Sequence, residues 1–170
     1  MSRSENLSAS LEDYLEAIFH IAAEKQAAKA KDIAQRLKLK SSSVTGALHL
    51  LSEKGLINYA PYDLITLTPE GKKAAEEVVH RHNTLRNFFM NVLLVDETEA
   101  ELSACKMEHA ISRTILDRLV QFMKFIELCP RVEKNWVTTF ERCKDTGQLQ
   151  EICKRCTAFS LKEAHEENQP

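Results

Sequence analysis

The chain has 170 residues, of which 44% are apolar, a formal net charge of −2, and only four glycines and four prolines. That is enough apolar material for packed cores, which excludes wholesale disorder, and too little glycine and proline for a β-sandwich or barrel. No apolar run approaches the ~18–20 residues of a membrane span, and the start Met1-Ser2-Arg3-Ser4-Glu5-Asn6 lacks an export segment, so a mostly α-helical, cytoplasmic protein with no membrane partner is expected.

Leu11, Tyr14, Leu15, Ile18, Ile21 and Ala22 recur at helical spacing and predict a first helix over 10–24. A short helix follows over 30–37, with Ile33, Ala34 and Leu37 inward. Lys38-Leu39-Lys40 is a tight connection, and Ser41, Ser42 and Ser43 are N-cap candidates for a third helix carrying Val44, Ala47, Leu48 and Leu51. Gly55 ends that helix. Leu56–Tyr59 and Leu64–Leu67 are β-prone and flank the turn-like Ala60-Pro61-Tyr62-Asp63, which predicts a hairpin. Thr68 as cap and Pro69 at the first helical position start a long helix reaching about Leu94. Asp96-Glu97-Thr98 caps another, running to about Ile111. The last helix, over 113–128, carries Ile115, Leu116, Leu119, Val120, Phe122, Met123 and Phe125, more apolar surface than one buried side needs, and predicts a subunit interface and a homodimer.

Helix, short helix, tight turn, helix, hairpin is the order of a winged helix-turn-helix, whose third helix presents its N-terminal residues to the major groove of double-stranded DNA. Charge agrees: residues 25–54 hold seven basic residues against two acids, a local +5 on an acidic chain. Lys38, Lys40 and Lys54 are candidates for phosphate neutralisation. Ser41, Ser42, Ser43 and Thr45 are short hydroxyl contacts, some of which do no more than cap the helix, and Tyr62 at the hairpin tip is a candidate backbone contact. No Arg or Gln stands among residues 41–47, so specificity leans on shape and apolar thymine contacts.

Asp13 and Glu16 are spaced i,i+3 and share a helix face, where they either bind one ion or form an ordinary polar face. His82 alone is equally ambiguous. Cys105, Glu108 and His109, at i, i+3 and i+4, put S, O and N donors on one face of one helix, a set suited to a divalent transition metal rather than calcium or magnesium.

Leu11-Glu12-Asp13-Tyr14-Leu15-Glu16, Ser42-Ser43-Val44-Thr45, Leu67-Thr68-Pro69-Glu70-Gly71, Arg81-His82 and Cys105-Lys106-Met107-Glu108-His109 together resemble the diphtheria toxin repressor and manganese transport regulator family over about residues 8–127. The resemblance implies a winged-helix DNA-binding domain over 1–72, a helical metal-binding and dimerisation domain over 73–128, and metal-activated repression of metal-uptake genes. It implies the ligand set Asp13, Glu16, His82, Cys105, Glu108 and His109. Asp13 and Glu16 match the manganese branch and Cys105 the iron branch, so the chain mixes the two. The Cys105 thiolate tips the expected metal toward Fe(II), with Mn(II) next. Glu101 stands where the iron branch ligates a second metal, but Thr98-Glu99-Ala100-Glu101 also reads as a capping box, the favoured reading. Arg86 stands where that branch has an acidic ligand, which argues against copying the second site, and His20 is left as structural. An ion binding these helices would offset the like charges of Asp13, Glu16 and Glu108 and hold two reading helices about one DNA turn (~34 Å) apart on a palindromic operator.

Residues 129–170 form a Cys-rich extension, too short for the SH3-like domain that many iron-branch relatives append. Disulfides are disfavoured in a reducing compartment, so Cys129, Cys143, Cys153 and Cys156 suggest a zinc site, an iron–sulfur cluster, a redox dithiol or inert thiols, with Trp136 and Phe140 available to pack around them. A winged-helix regulator controlled through this tail is the alternative to control by the helical ligands.

Overall fold

A computed structural model describes residues 7–60 and 64–128. Tyr62, the C-terminal extension and its four cysteines lie outside the described residues.

Helix α1 (Ala9–Lys25) starts at Ser8, whose hydroxyl accepts from the Leu11 N–H. It buries Leu11, Tyr14, Leu15, Ala17, Ile18 and Ile21, the stripe that 3.6-residue spacing requires. Helices α2 (Ala30–Leu37) and α3 (Ser41–Glu53) pack on it through Ile33, Ala34, Val44, Ala47, Leu48 and Leu51. Lys38, left-handed at φ 55°, makes the tight turn between them. The serines do not cap α3. Lys40 is its N-cap, without a side-chain bond, and Ser41, Ser42 and Ser43 occupy the exposed first turn.

Gly55, at φ 73°, follows α3 in the conformation that favours glycine. The wing pairs β1 (Ile57–Asn58) antiparallel with β2 (Thr66–Leu67), in the register Ile57 to Leu67 and Asn58 to Thr66. A third segment joins it: Ala28, between α1 and α2, exchanges both backbone bonds with Ile65. That pairing is set by the packing of α1 and was invisible to local pattern reading.

Helix α4 (Pro69–Asn91) begins with Thr68 accepting from the Gly71 N–H while its hydroxyl donates to the Gly55 carbonyl. A side chain at Gly71 would place a Cβ 1.7 Å from the Leu56 carbonyl oxygen, so only glycine lets α4 dock here. α4 stops at Asn91 rather than Leu94, because Leu94 is left-handed at φ 54°. Helix α5 (Glu97–Met107) is capped by Asp96, whose carboxylate accepts from Thr98 and Glu99; the expected Thr98–Glu101 capping box does not form, since Thr98 already lies inside the helix. Helix α6 (Arg113–Leu128) buries only Leu116 fully.

Two cores result. The first unites α1, α2, α3 and the wing and ends on Ala74 and Ala75 of α4; the second gathers Leu85 and Phe89 of α4 with Ala100 and Ala104 of α5. α4 is thus the strut common to both. Among the described residues, no helix is long and apolar enough to cross a membrane.

Candidate metal centre and DNA-reading surface

α1 crosses α4, and α5 ends beside both. Within α1, Asp13 and Glu16 sit on the side away from the core stripe and face this junction. The expected helical triplet is corrected here: α5 ends at Met107, Glu108 is its C-cap residue, and His109 lies in the turn beyond. Because the chain turns at this point, Glu108 goes inward and is fully buried, His109 swings toward α1, and Cys105, one turn earlier, stays exposed.

Two groups of donor atoms lie within 4.8 Å of one another: Asp13, Glu108 and His109 in one, Glu16, His82 and Glu108 in the other. Glu108 belongs to both. Its Oε2 lies 2.6 Å from His82 Nδ1, and its Oε1, 3.2 Å from His109 Nε2, makes no hydrogen bond. His109 Nε2 is also 2.8 Å from Asp13 Oδ1. A buried carboxylate oxygen with no partner is costly in an apolar interior. A cation would satisfy it, so the residues fit a metal.

Electrostatics point the same way. Burial first, then the neighbouring Glu108 charge, pushes the Glu16 carboxyl up; burial also raises Asp13, against the lowering pull of His109. The hydrogen bond that His82 donates to Glu108 raises its pKa to about 9 in spite of burial. Burial pulls His109 down, but the hydrogen bond to Glu12 and the charges of Asp13 and Glu108 leave it raised. Without a metal, the proton carried by His82 offsets part of the crowded negative charge.

Cys105 Sγ joins neither donor group; partial burial and the surrounding carboxylates hold its thiol above the usual range. Glu101 lies 3.2 Å from His82 Nε2 and 3.1 Å from Arg86 Nε, on the outer side of the histidine, and Arg86 also pairs with Glu97. His20 stands 3.7 Å from Glu16. Glu12 was missed as a contributor: its carboxylate joins Arg81 to His109. The available signal was its i,i+4 spacing from Glu16, which places both on one helix face.

On the opposite end of the first core, Lys38, Lys40, Ser41, Ser42, Ser43, Thr45 and Lys54 are all exposed around α3. The Thr45 hydroxyl donates back to the Ser41 carbonyl. His49, not anticipated, is also exposed on α3 and stacks edge-on against Tyr59 of the wing. The basic stretch is partly neutralised within the chain, since Lys25 pairs with Asp32 and Arg36 with Glu24.

Comparison with known proteins agrees with this geometry. Residues 6–64 match the N-terminal DNA binding domain described for the iron dependent repressor, and residues 68–137 match its metal binding and dimerisation domain. An uncharacterized HTH-type transcriptional regulator of Methanocaldococcus jannaschii is 40% identical over 119 residues, which is 69% of this chain and 95% of the relative. The HTH-type transcriptional regulator MntR of Lysinibacillus sphaericus is 34% identical over 125 residues, 74% of this chain and 89% of the relative. A solved manganese-dependent transcriptional repressor in complex with manganese matches with a TM-score of 0.61 at 29% identity, covering 68% of this chain; the match spans about half of that solved chain, 53%. The chain therefore belongs to the iron dependent repressor family, metal-dependent transcriptional regulators that bind DNA and are not enzymes.

Proposed function

We propose that this protein is a homodimeric repressor of metal-uptake genes, activated when Mn(II) or Fe(II) binds at the junction of α1, α4 and α5. One observation carries the reading: Glu108, fully buried and with an unpartnered oxygen, belongs to both donor groups, one of which takes its acidic member from α1 and its histidine from α4. Asp13, Glu16, His82, Glu108 and His109 would hold the metal. The ion supplies the positive charge that these carboxylates otherwise obtain from protons. Five oxygen and nitrogen donors, with Cys105 outside both groups, favour Mn(II) over the softer preference that a thiolate suggested. Cys105 stays a candidate only if its side chain turns inward; Glu101 acts behind His82 rather than as a ligand.

The domain division proposed is 1–72 for reading DNA, 73–128 for metal and dimerisation, and 129–170 as the Cys-rich extension. The exposed apolar face of α6, with Ile115, Phe122, Phe125 and Leu128, supports the dimer. Closing Asp13 and Glu16 onto Glu108 holds the first core against α4. In a dimer that places two α3 helices at a set separation, so that both half-sites of a palindrome are engaged together. Lys38, Lys40 and Lys54 would meet phosphates, Ser41, Ser42, Ser43 and Thr45 the groove, and Tyr62 the backbone beside the wing.

Selection from a random duplex library tests this. With Mn(II) present, the purified protein is expected to enrich two-fold symmetric sequences with half-sites about one helical turn (~34 Å) apart. With chelator, enrichment should be lost. Equal recovery in both arms, or asymmetric sites, would refute the reading.

A pH dependence follows from the histidines. In the metal-free chain His82 is raised from 6.5 to about 9, so the His82–Glu108 pair contributes its full stability below pH 6.5 and loses it as pH climbs through about 9. Metal binding at neutral pH must displace the His82 proton. Apparent Mn(II) affinity is therefore expected to rise about tenfold per pH unit for each proton released, across pH 6.5 to 8. Calorimetry in buffers of different ionisation enthalpy counts the protons, and a release of none contradicts the assignment.

A further inference from the structure

We propose that Glu12, which contributes to neither donor group, is the positioning residue of the centre: held by Arg81, its carboxylate fixes the His109 ring so that Nε2, not Nδ1, faces Asp13 and Glu108. The role rests on the metal-activated reading above and concerns a residue that the reading leaves unused. Glu12 Oε2 lies 2.6 Å from Arg81 Nη2 and 2.7 Å from His109 Nδ1, so one oxygen joins α1, α4 and the turn after α5. All three side chains are mostly buried, between 13% and 19% exposed, which limits competition from water.

A neutral imidazole carries one proton on one nitrogen. A carboxylate only accepts, so a proton on Nδ1 is held by Glu12 and one on Nε2 by Asp13 Oδ1, 2.8 Å away; when the site fills, the Nε2 proton is the one given up, and Glu12 keeps the other on Nδ1. Arg81 is essential to the arrangement. Its guanidinium anchors the carboxylate outside the donor group, so Glu12 orients a ligand instead of competing as one. A looser counterpart stands behind His82, where Arg86 holds Glu101; there the carboxylate is 56% exposed, and water can replace it. Because Glu12 and His109 lie 97 residues apart in the chain, the same contact ties the DNA-reading unit to the end of α5.

The experiment compares the full chain with Glu12→Met, which has no acceptor, and Glu12→Gln, which keeps one. Imidazole ¹H–¹⁵N spectra of the metal-free protein should show a hydrogen-bonded Nδ1–H on His109 in the wild type and its loss in Glu12→Met. Mn(II) affinity should fall about 10–100-fold in Glu12→Met, the usual cost of losing an outer-shell partner, with partial recovery in Glu12→Gln. In a His109→Gln background Glu12→Met should cost almost nothing further. If Glu12→Met does not fold, Arg81→Met, which frees the carboxylate without removing it, should weaken the same Nδ1–H signal. A wild-type His109 with no proton on Nδ1, or an equal loss of affinity in both backgrounds, would overturn the proposal. Wild-type protein that binds neither Mn(II) nor Fe(II) would instead refute the metal-activated reading, and the ¹⁵N result would still decide whether Glu12 holds the Nδ1 proton.

Discussion

Glu108→Ala is expected to abolish metal-dependent DNA binding while leaving the helical fold in place. Glu108 is the member common to both donor groups, so its loss removes a ligand from each, whereas Asp13→Ala or Glu16→Ala depletes one group only. Outer-shell partners of metal ligands are already worth about 10–100-fold in affinity. Removing a shared ligand should exceed about 100-fold, and either α1 variant should cost less. The fold should survive because Glu108 belongs to neither apolar core and its Oε1 is unpartnered in the metal-free chain. An independent readout is His82: without the carboxylate that raises it to about 9, its titration midpoint should fall back toward 6.5. Metal titration with a duplex-binding readout decides the matter. An Glu108→Ala protein whose metal response stays within about tenfold of wild type would break the assignment.

The second large effect is structural. Gly71→Ala should destabilise the winged unit by about 3 kcal/mol or more, beyond the usual cost of overpacking, because the added methyl meets backbone rather than a side chain that could turn away. The Leu56 carbonyl oxygen would be 1.7 Å from the new carbon, and that carbonyl also accepts from the Thr68 N–H. Relief requires moving the start of α4 off the wing. That breaks the Thr68 hydroxyl bond to Gly55 and shifts the strut that carries Arg81 and His82. Thermal denaturation should show the loss, and metal should restore part of it, since an ion that binds only the assembled junction adds stability by mass action. A melting temperature within a few degrees of wild type would mean that the junction yields more easily than the close contact implies. A Gly46→Ala control, at a helical glycine with open space around it, should not destabilise.

Much of this architecture was legible from local chemistry. The stripes of α1, α2 and α3, the Thr68-Pro69 start of α4 and the apolar excess of α6 follow from 3.6-residue spacing and end signals that each segment carries within itself. The candidate donors Asp13, Glu16, His82, Cys105, Glu108 and His109 came from the family resemblance, residue by residue. Their internal arrangement was not legible. The periodicity ran α5 on through His109, but the helix stops at Met107; that stop turns Glu108 inward, His109 toward α1, and leaves Cys105 outside. The serines that looked like caps lie within α3, and the capping box of α5 gives way to Asp96.

The sequence by itself therefore determined the order of elements, the apolar faces and the kinds of donor available, since each depends on neighbours within one or two helical turns. Only the tertiary structure decided which donors converge. It divided Asp13 from Glu16, made Glu108 common to both groups, drew Glu12 and Arg81 in behind His109, and required glycine at 71 because a carbonyl fifteen residues earlier fills that space. The physical reason is range: helix periodicity is written in contacts three or four residues apart, whereas these contacts join residues 12 and 109 or 82 and 108, and exist only once both cores have packed against α4.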